Sequence, residues 1–316
     1  MIEKYTAYGL AYENPAQFGL EPYYTELQKE LVEFINIEQQ GRLFLERPLS
    51  SAEKQRIQPE TLATAINAEV FQQQVSKIAI QENFEALVNL RSLPEQQLAW
   101  SFSDTPYHQA CGDWAGKERL FYVRAALAEA LVRLETMAES IGYALHFEDA
   151  FRPTGVQEGL FQRRIEMAKA QSPDLSDDDI LLEAKSKTAF TPRIAAHKAG
   201  AAVDVRRRDI ASNTLVDIGH EYPEGGELVR LDTPYVTREQ WKNRKILAFL
   251  AQKANLAMYP YEDWHLCIGD ATAAVVRGEQ SARYGPIRSF DTDGSITKIY
   301  HNDELDQPFN TLQETL

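Results

Sequence analysis

Apolar residues first recur at helical spacing at Leu27, Leu31, Phe34 and Ile35, and again behind Pro59 at Leu62, Ile66 and Val70. Residues 1 to about 80 are therefore expected to be helical. The period sharpens further on, where Leu127, Leu131, Leu134, Ala138 and Ile141 form one stripe that stops at Gly142, a residue suited to closing a helix. Directly afterwards the period falls to two. Tyr143, Leu145 and Phe147 alternate with Ala144, His146 and Glu148, which is the pattern of a half-buried strand. Pro153 keeps Arg152 out of the helical region and can open the next helix, so this strand should finish with Arg152 at its lip.

Ser176 and the three aspartates behind it start a charged helix, expected to be a surface insertion within residues 172–187. A run of small residues from Ile194 to Val205 then enters a second strand. Thr237 and Gln240 have the form of a capping box, followed by a helix that buries Trp241, Ile246, Leu250 and Ala254. A last strand-like segment, 258–268, is closed by Gly269. Helices and strands in this order, with irregular connections, predict an α+β fold.

Composition narrows the function classes. Against 33 Lys plus Arg stand 47 Asp plus Glu, a net charge of −14, which would repel phosphate backbones and anionic lipid; no nucleic-acid partner is expected. The one dense basic run, Arg206 to Arg208, reads as a solvated strand end. No apolar stretch is long enough to span a membrane, and the first residues lack the apolar core of a secretory signal, so a cytoplasmic protein without a membrane partner is expected. Two cysteines, Cys111 and Cys267, make no disulfide framework. Nothing in the sequence sets the oligomeric state.

Three distant segments place polar groups at the edges of apolar strands: Arg152; His197 with Asp204; and Glu262 with His265. Two imidazoles and one carboxylate make a catalytic zinc set, because three protein ligands leave the fourth position open. Glu262 is then a spare acid able to take a proton, and the permanently charged Arg152 could stabilise an oxyanion. On regular strands residues seven apart, or three apart, point to opposite faces, so Gly200 and the Pro260–Asp263 region must each supply a break. Cys267, two residues beyond His265, reads as a buried inert thiol rather than a ligand, and His108, His146, His220 and His301 as surface or core residues.

These segments resemble the motifs of the D-alanyl-D-alanine dipeptidases of the vancomycin-resistance type, relatives of zinc D,D-carboxypeptidases and of the hedgehog domain. The family's S-x-H-x-x-G-x-A-x-D reads Ala195-x-His197-x-x-Gly200-x-Ala202-x-Asp204, its E-x-W-H reads Glu262-x-Trp264-His265, and its D-x-[YF]-R-P reads Asp149-x-Phe151-Arg152-Pro153. The resemblance implies His197, Asp204 and His265 as ligands of one Zn²⁺ per chain, Glu262 as general base and Arg152 as the arginine that stabilises the intermediate. It also implies a hedgehog/D,D-peptidase-like zinc peptidase domain over residues 85–316, behind a helical N-terminal extension over 1–84. Two positions depart from the pattern. The serine that grips the substrate's C-terminal end is Ala195, and the acid that pairs with the substrate's amine is missing after Ile218-Gly219-His220-Glu221-Tyr222, so Asp217, Glu221 or Glu224 would have to substitute.

The expected activity is zinc-dependent hydrolysis of a short peptide, a D-alanyl-D-alanine-type dipeptide. The rivals are a peptidoglycan D,D- or L,D-carboxypeptidase and a non-catalytic zinc-stabilised binding module. The N-terminal helices are read as a support, an oligomer contact or a lid over the cleft.

Overall fold

The computed structural model describes residues 3–5, 10–12, 21–93 and 98–312. Helices cover Glu21–Glu38 (α1), Ser51–Arg56 (α2), Gln58–Val75 (α3), Ala125–Ser140 (α4), Thr154–Gln171 (α5), Asp177–Lys187 (α6), Arg238–Lys253 (α7) and Ala271–Arg277 (α8). Helical expectation for the N-terminal region thus holds for α1 to α3. It fails at Glu3–Tyr5 and Leu10–Tyr12, which form an antiparallel ladder, as a Tyr-rich stretch broken by Gly9 favours. The side chains of residues 58–62, Leu62 among them, lie outside the described residues.

The site is carried by a six-stranded sheet. Its strands are Ser101–Phe102 (β1), Tyr143–Asp149 (β2), Ala202–Asp209 (β3), Thr214–Leu215 (β4), Ala257–Met258 (β5) and His265–Cys267 (β6). They are ordered β5-β6-β3-β2-β1, with β4 paired to the far end of β3. Only the β1–β2 pair is parallel. The segment 258–268, read as one strand, is two short strands joined by a turn, so the break expected near Pro260 is a complete reversal.

Capping at α7 follows the sequence: the Thr237 hydroxyl accepts from Gln240 N, and the Gln240 side chain accepts from Thr237 N. The apolar stripes of α4 and α7 bury Leu127, Leu131, Leu134, Ile246 and Leu250 against Leu145, Phe147, Val203, Val205 and Leu266 of the sheet. Burial of this kind stabilises by about 25 cal/mol per Å² of apolar surface, which makes this layer the rigid base of the molecule. Leu27 of α1 joins the same core, and Phe34 meets Phe249 of α7 with ring centroids 5.4 Å apart.

Two expectations are corrected by packing. Strand β2 is not half solvated: Ala144, Glu148 and Asp149 are buried along with Leu145 and Phe147, because the second face of the sheet carries paired charges instead of water. Helix α6 begins at Ser176 as expected, but it is no surface insertion; Ile180, Glu183 and Ala184 are buried where it packs on α3 and α5. Its charged exterior had hidden a narrow inner face. Among the described residues no helix is long and apolar enough to cross a membrane.

Candidate active site

Strand pairing assembles the site. His265 of β6 stands directly opposite Asp204 of β3, and Asp149 of β2 is paired with Asp204 from the other side, after an irregularity in register beyond Phe147. His197 reaches the same point from a single 3₁₀ turn, Ala196–Ala199, that ends at Gly200 with φ +66°. The left-handed backbone at Gly200 favours glycine, and a Cβ there would fall 2.5 Å from Leu87 Cδ2 and displace that buried side chain. This turn folds the seven-residue spacing back, so that His197 and Asp204 share one side.

His197, Asp204 and His265 are all buried, and their ligand atoms lie within 4.8 Å of one another. Asp204 Oδ1 is 3.1 Å from His197 Nε2 and 3.1 Å from His265 Nδ1. His197 Nδ1 sits 2.7 Å from the carbonyl oxygen of Ala150. A carbonyl only accepts, so Nδ1 donates to Ala150 and Nε2 is the ring nitrogen turned toward the carboxylate. Donors on a tetrahedral zinc, at bonds of about 2.0 to 2.1 Å, stand about 3.3 Å apart, so these three residues fit the metal that the sequence implies.

The other oxygen of Asp204 is also engaged. Oδ2 accepts from Arg152 Nη2 at 3.0 Å and from the Tyr222 hydroxyl at 2.9 Å. Burial alone would raise the Asp204 carboxyl, but His197, His265 and Arg152 together hold it well below the usual carboxylate range. Arg152 Nε donates to Asp149 Oδ2 at 2.9 Å, and Arg119 lies 3.5 Å from the same oxygen. Burial works against the Arg152 charge; Asp149 and Asp204 outweigh it and keep the guanidinium more basic than usual.

Glu262 projects from the β5–β6 turn. Its Oε2 is 3.8 Å from His265 Nδ1, too long for a hydrogen bond, and it stands outside the three-residue donor cluster. Burial, opposed by the charge of His265, pushes its carboxyl up to about 7.

Arg152, His197, Glu262 and His265 line a cavity of ≈ 60 Å³. It is lined as well by Phe71, Gln72 and Val75 of α3 and by residues 186–189 at the end of α6. A lid over the cleft was among the readings of the N-terminal helices, whereas α6 was read as a surface insertion, so its part in the cavity was missed. Tyr222 was missed as a partner of Asp204 for a similar reason: eighteen positions of irregular chain separate the two.

The remaining candidates lie elsewhere. Asp217 accepts from Gly219 N and Gln240 Nε2, Glu221 pairs with Arg206 at 3.2 Å, and Glu224 lies 3.8 Å from Lys54; none of the three lines the cavity. Ala195 does line it, backed by Tyr300, Leu305 and Phe309. Burial and the nearby Asp270 push the Cys267 thiol well up, and it packs among Ala196, Ala202, Ala257 and Ala273 rather than joining the donor cluster. His220 is a core residue, 2.8 Å from Asp263, which also pairs with Arg244.

Residues 120–268 match the family model VanY, described as D-alanyl-D-alanine carboxypeptidase. The match spans just under half of the chain, covers all three motifs, and supports the broader zinc D,D-peptidase family; it does not single out dipeptidases. Among curated proteins nothing matches the chain.

Proposed function

We propose that this chain is a zinc-dependent D,D-peptidase that hydrolyses a short peptide, a D-alanyl-D-alanine-type dipeptide in the first place. The observation that carries the reading is the convergence of His197 Nε2, Asp204 Oδ1 and His265 Nδ1, with Glu262 outside that cluster and lining the same cavity as the two histidines. A zinc ion held by those three atoms would supply Lewis acidity toward the scissile carbonyl and toward water. A structural zinc site closes with four ligands and has no use for a nearby acid, which weighs against the binding module.

The residues themselves divide the rest of the work. Glu262, with a carboxyl near neutrality, is suited to take a proton from the attacking water and give it to the leaving amine. Its burial is what makes it basic enough. Arg152 borders the cavity while fixed at two points by Asp149 and Asp204, so its remaining positive field is available to charge that develops on the carbonyl oxygen. Tyr222 and Arg152 also hold Asp204 in one orientation.

Arg152→Lys should lower kcat/KM by roughly tenfold or more, since an ammonium cannot reproduce the fork that reaches both carboxylates and a lost oxyanion donor costs about 3 kcal/mol elsewhere. Turnover near that of the wild type would remove Arg152 from the mechanism.

Substrate size rests on the confinement of the cavity between the sheet edge and the walls from α3 and α6. The family match favours a second reading, a carboxypeptidase trimming longer stems. Both readings are tested by rates on D-alanyl-D-alanine and on a pentapeptide ending in it. The dipeptide is expected to react at least about tenfold faster, and equal or faster cleavage of the pentapeptide would establish the carboxypeptidase instead.

A further inference from the structure

We infer that Gln157 receives the free ammonium group of the substrate, an assignment that rests on the peptidase reading above. Gln157 lies in the first turn of α5, is 1% exposed, and lines the cavity that holds Arg152, His197, Glu262 and His265. Its Nε2 donates to the carbonyl oxygen of Ala189 at 2.7 Å. That bond fixes which way the amide faces, because a carbonyl cannot accept from the amide's oxygen. Oε1 is thereby left as a buried acceptor with no donor. An acceptor in this condition is costly unless something supplies it with an N–H or O–H.

Gln72 of α3, which also lines the cavity, repeats the arrangement: its Nε2 donates to Lys185 O at 2.9 Å, and its Oε1 is buried without a hydrogen bond, with the Tyr259 side chain beside the amide. The residues 185–189 at the end of α6 thus orient both amides. Among the described residues Glu262 is the only carboxylate lining the cavity, and Asp217, Glu221 and Glu224 have partners elsewhere. The buried carboxamide oxygen of Gln157, left without a donor, is an acceptor suited to an ammonium.

The test varies the substrate and the residue together in the zinc-loaded full chain. D-alanyl-D-alanine is compared with propanoyl-D-alanine, which lacks only the amine, by turnover in the wild type and by calorimetric binding in Glu262→Gln. The free amine is expected to bind at least about tenfold more tightly. Gln157→Met should raise KM for the dipeptide about tenfold with kcat nearly unchanged, and leave the affinity for propanoyl-D-alanine as it was. Equal binding of the two compounds by Glu262→Gln overturns the assignment whether or not Gln157→Met folds. An equal loss on both compounds in Gln157→Met would show a wall residue and overturn it too. Should the wild type cleave neither compound, the peptidase reading falls, while an amine preference in binding would still support the role of Gln157.

Discussion

Glu262→Gln is expected to lower kcat by about 10²- to 10⁴-fold, or about 3 to 5 kcal/mol in the barrier, while metal content stays at the wild-type level. Glutamine keeps the size of the side chain and removes its basicity. The metal should remain because Glu262 stands 3.8 Å from His265 Nδ1 and is no member of the donor cluster. Its burial among the site residues is what sets its carboxyl at about 7, so the residue is present in both protonation states near neutral pH and can serve in both proton transfers. Steady-state kinetics with elemental analysis of the same preparations checks this. A kcat within about threefold of the wild type would defeat the assignment of the base.

His197→Ala should abolish both stoichiometric metal and activity. The wild type is expected to hold one zinc per chain, and the variant less than roughly a tenth of that after dialysis. With the imidazole gone, one carboxylate oxygen and one imidazole nitrogen remain, too few for the open three-ligand site of a catalytic zinc. Among the described residues neither Cys267 nor His220 is placed to replace it: Cys267 is a high-pKa thiol among alanines, and His220 is engaged with Asp263. Undiminished zinc in His197→Ala would place the metal somewhere else.

Much of this site was legible in the sequence because its groups sit in short motifs whose local geometry is self-contained. Gly200 permits the turn that brings His197 to Asp204, and Pro153 marks where α5 starts, although β2 already ends at Asp149. The capping residues Ser176 and Thr237 fixed two helix starts without any knowledge of the fold. What was not legible depends on contacts between distant segments. The charged sequence of α6 gave no sign that Ile180 and Ala184 would press it against α3, and so its C-terminal residues were not seen as a cavity wall. Helix α3 was equally silent about Gln72. The pairing of Asp204 with Tyr222 has no signal at all in spacing, since the loop between them follows no period. Asp217 shows the opposite error: an acid near the right motif, drawn by Gln240 and the Gly219 turn into a structural role.

Because Arg152 and Tyr222 occupy Oδ2 of Asp204, that carboxylate can offer a cation a single oxygen. The restriction sorts metals by denticity. Calcium takes six to eight oxygen ligands and commonly draws on both oxygens of a carboxylate, and magnesium demands a near-octahedral oxygen shell. Either would meet one oxygen and two nitrogens in the donor cluster, a set poorer in oxygen than it takes. A borderline-soft ion content with four mixed ligands loses nothing by the same arrangement. The two neighbours that steady Asp204 would therefore also act as a filter on any bound cation, disfavouring the abundant hard ions before any difference in ion size comes into play.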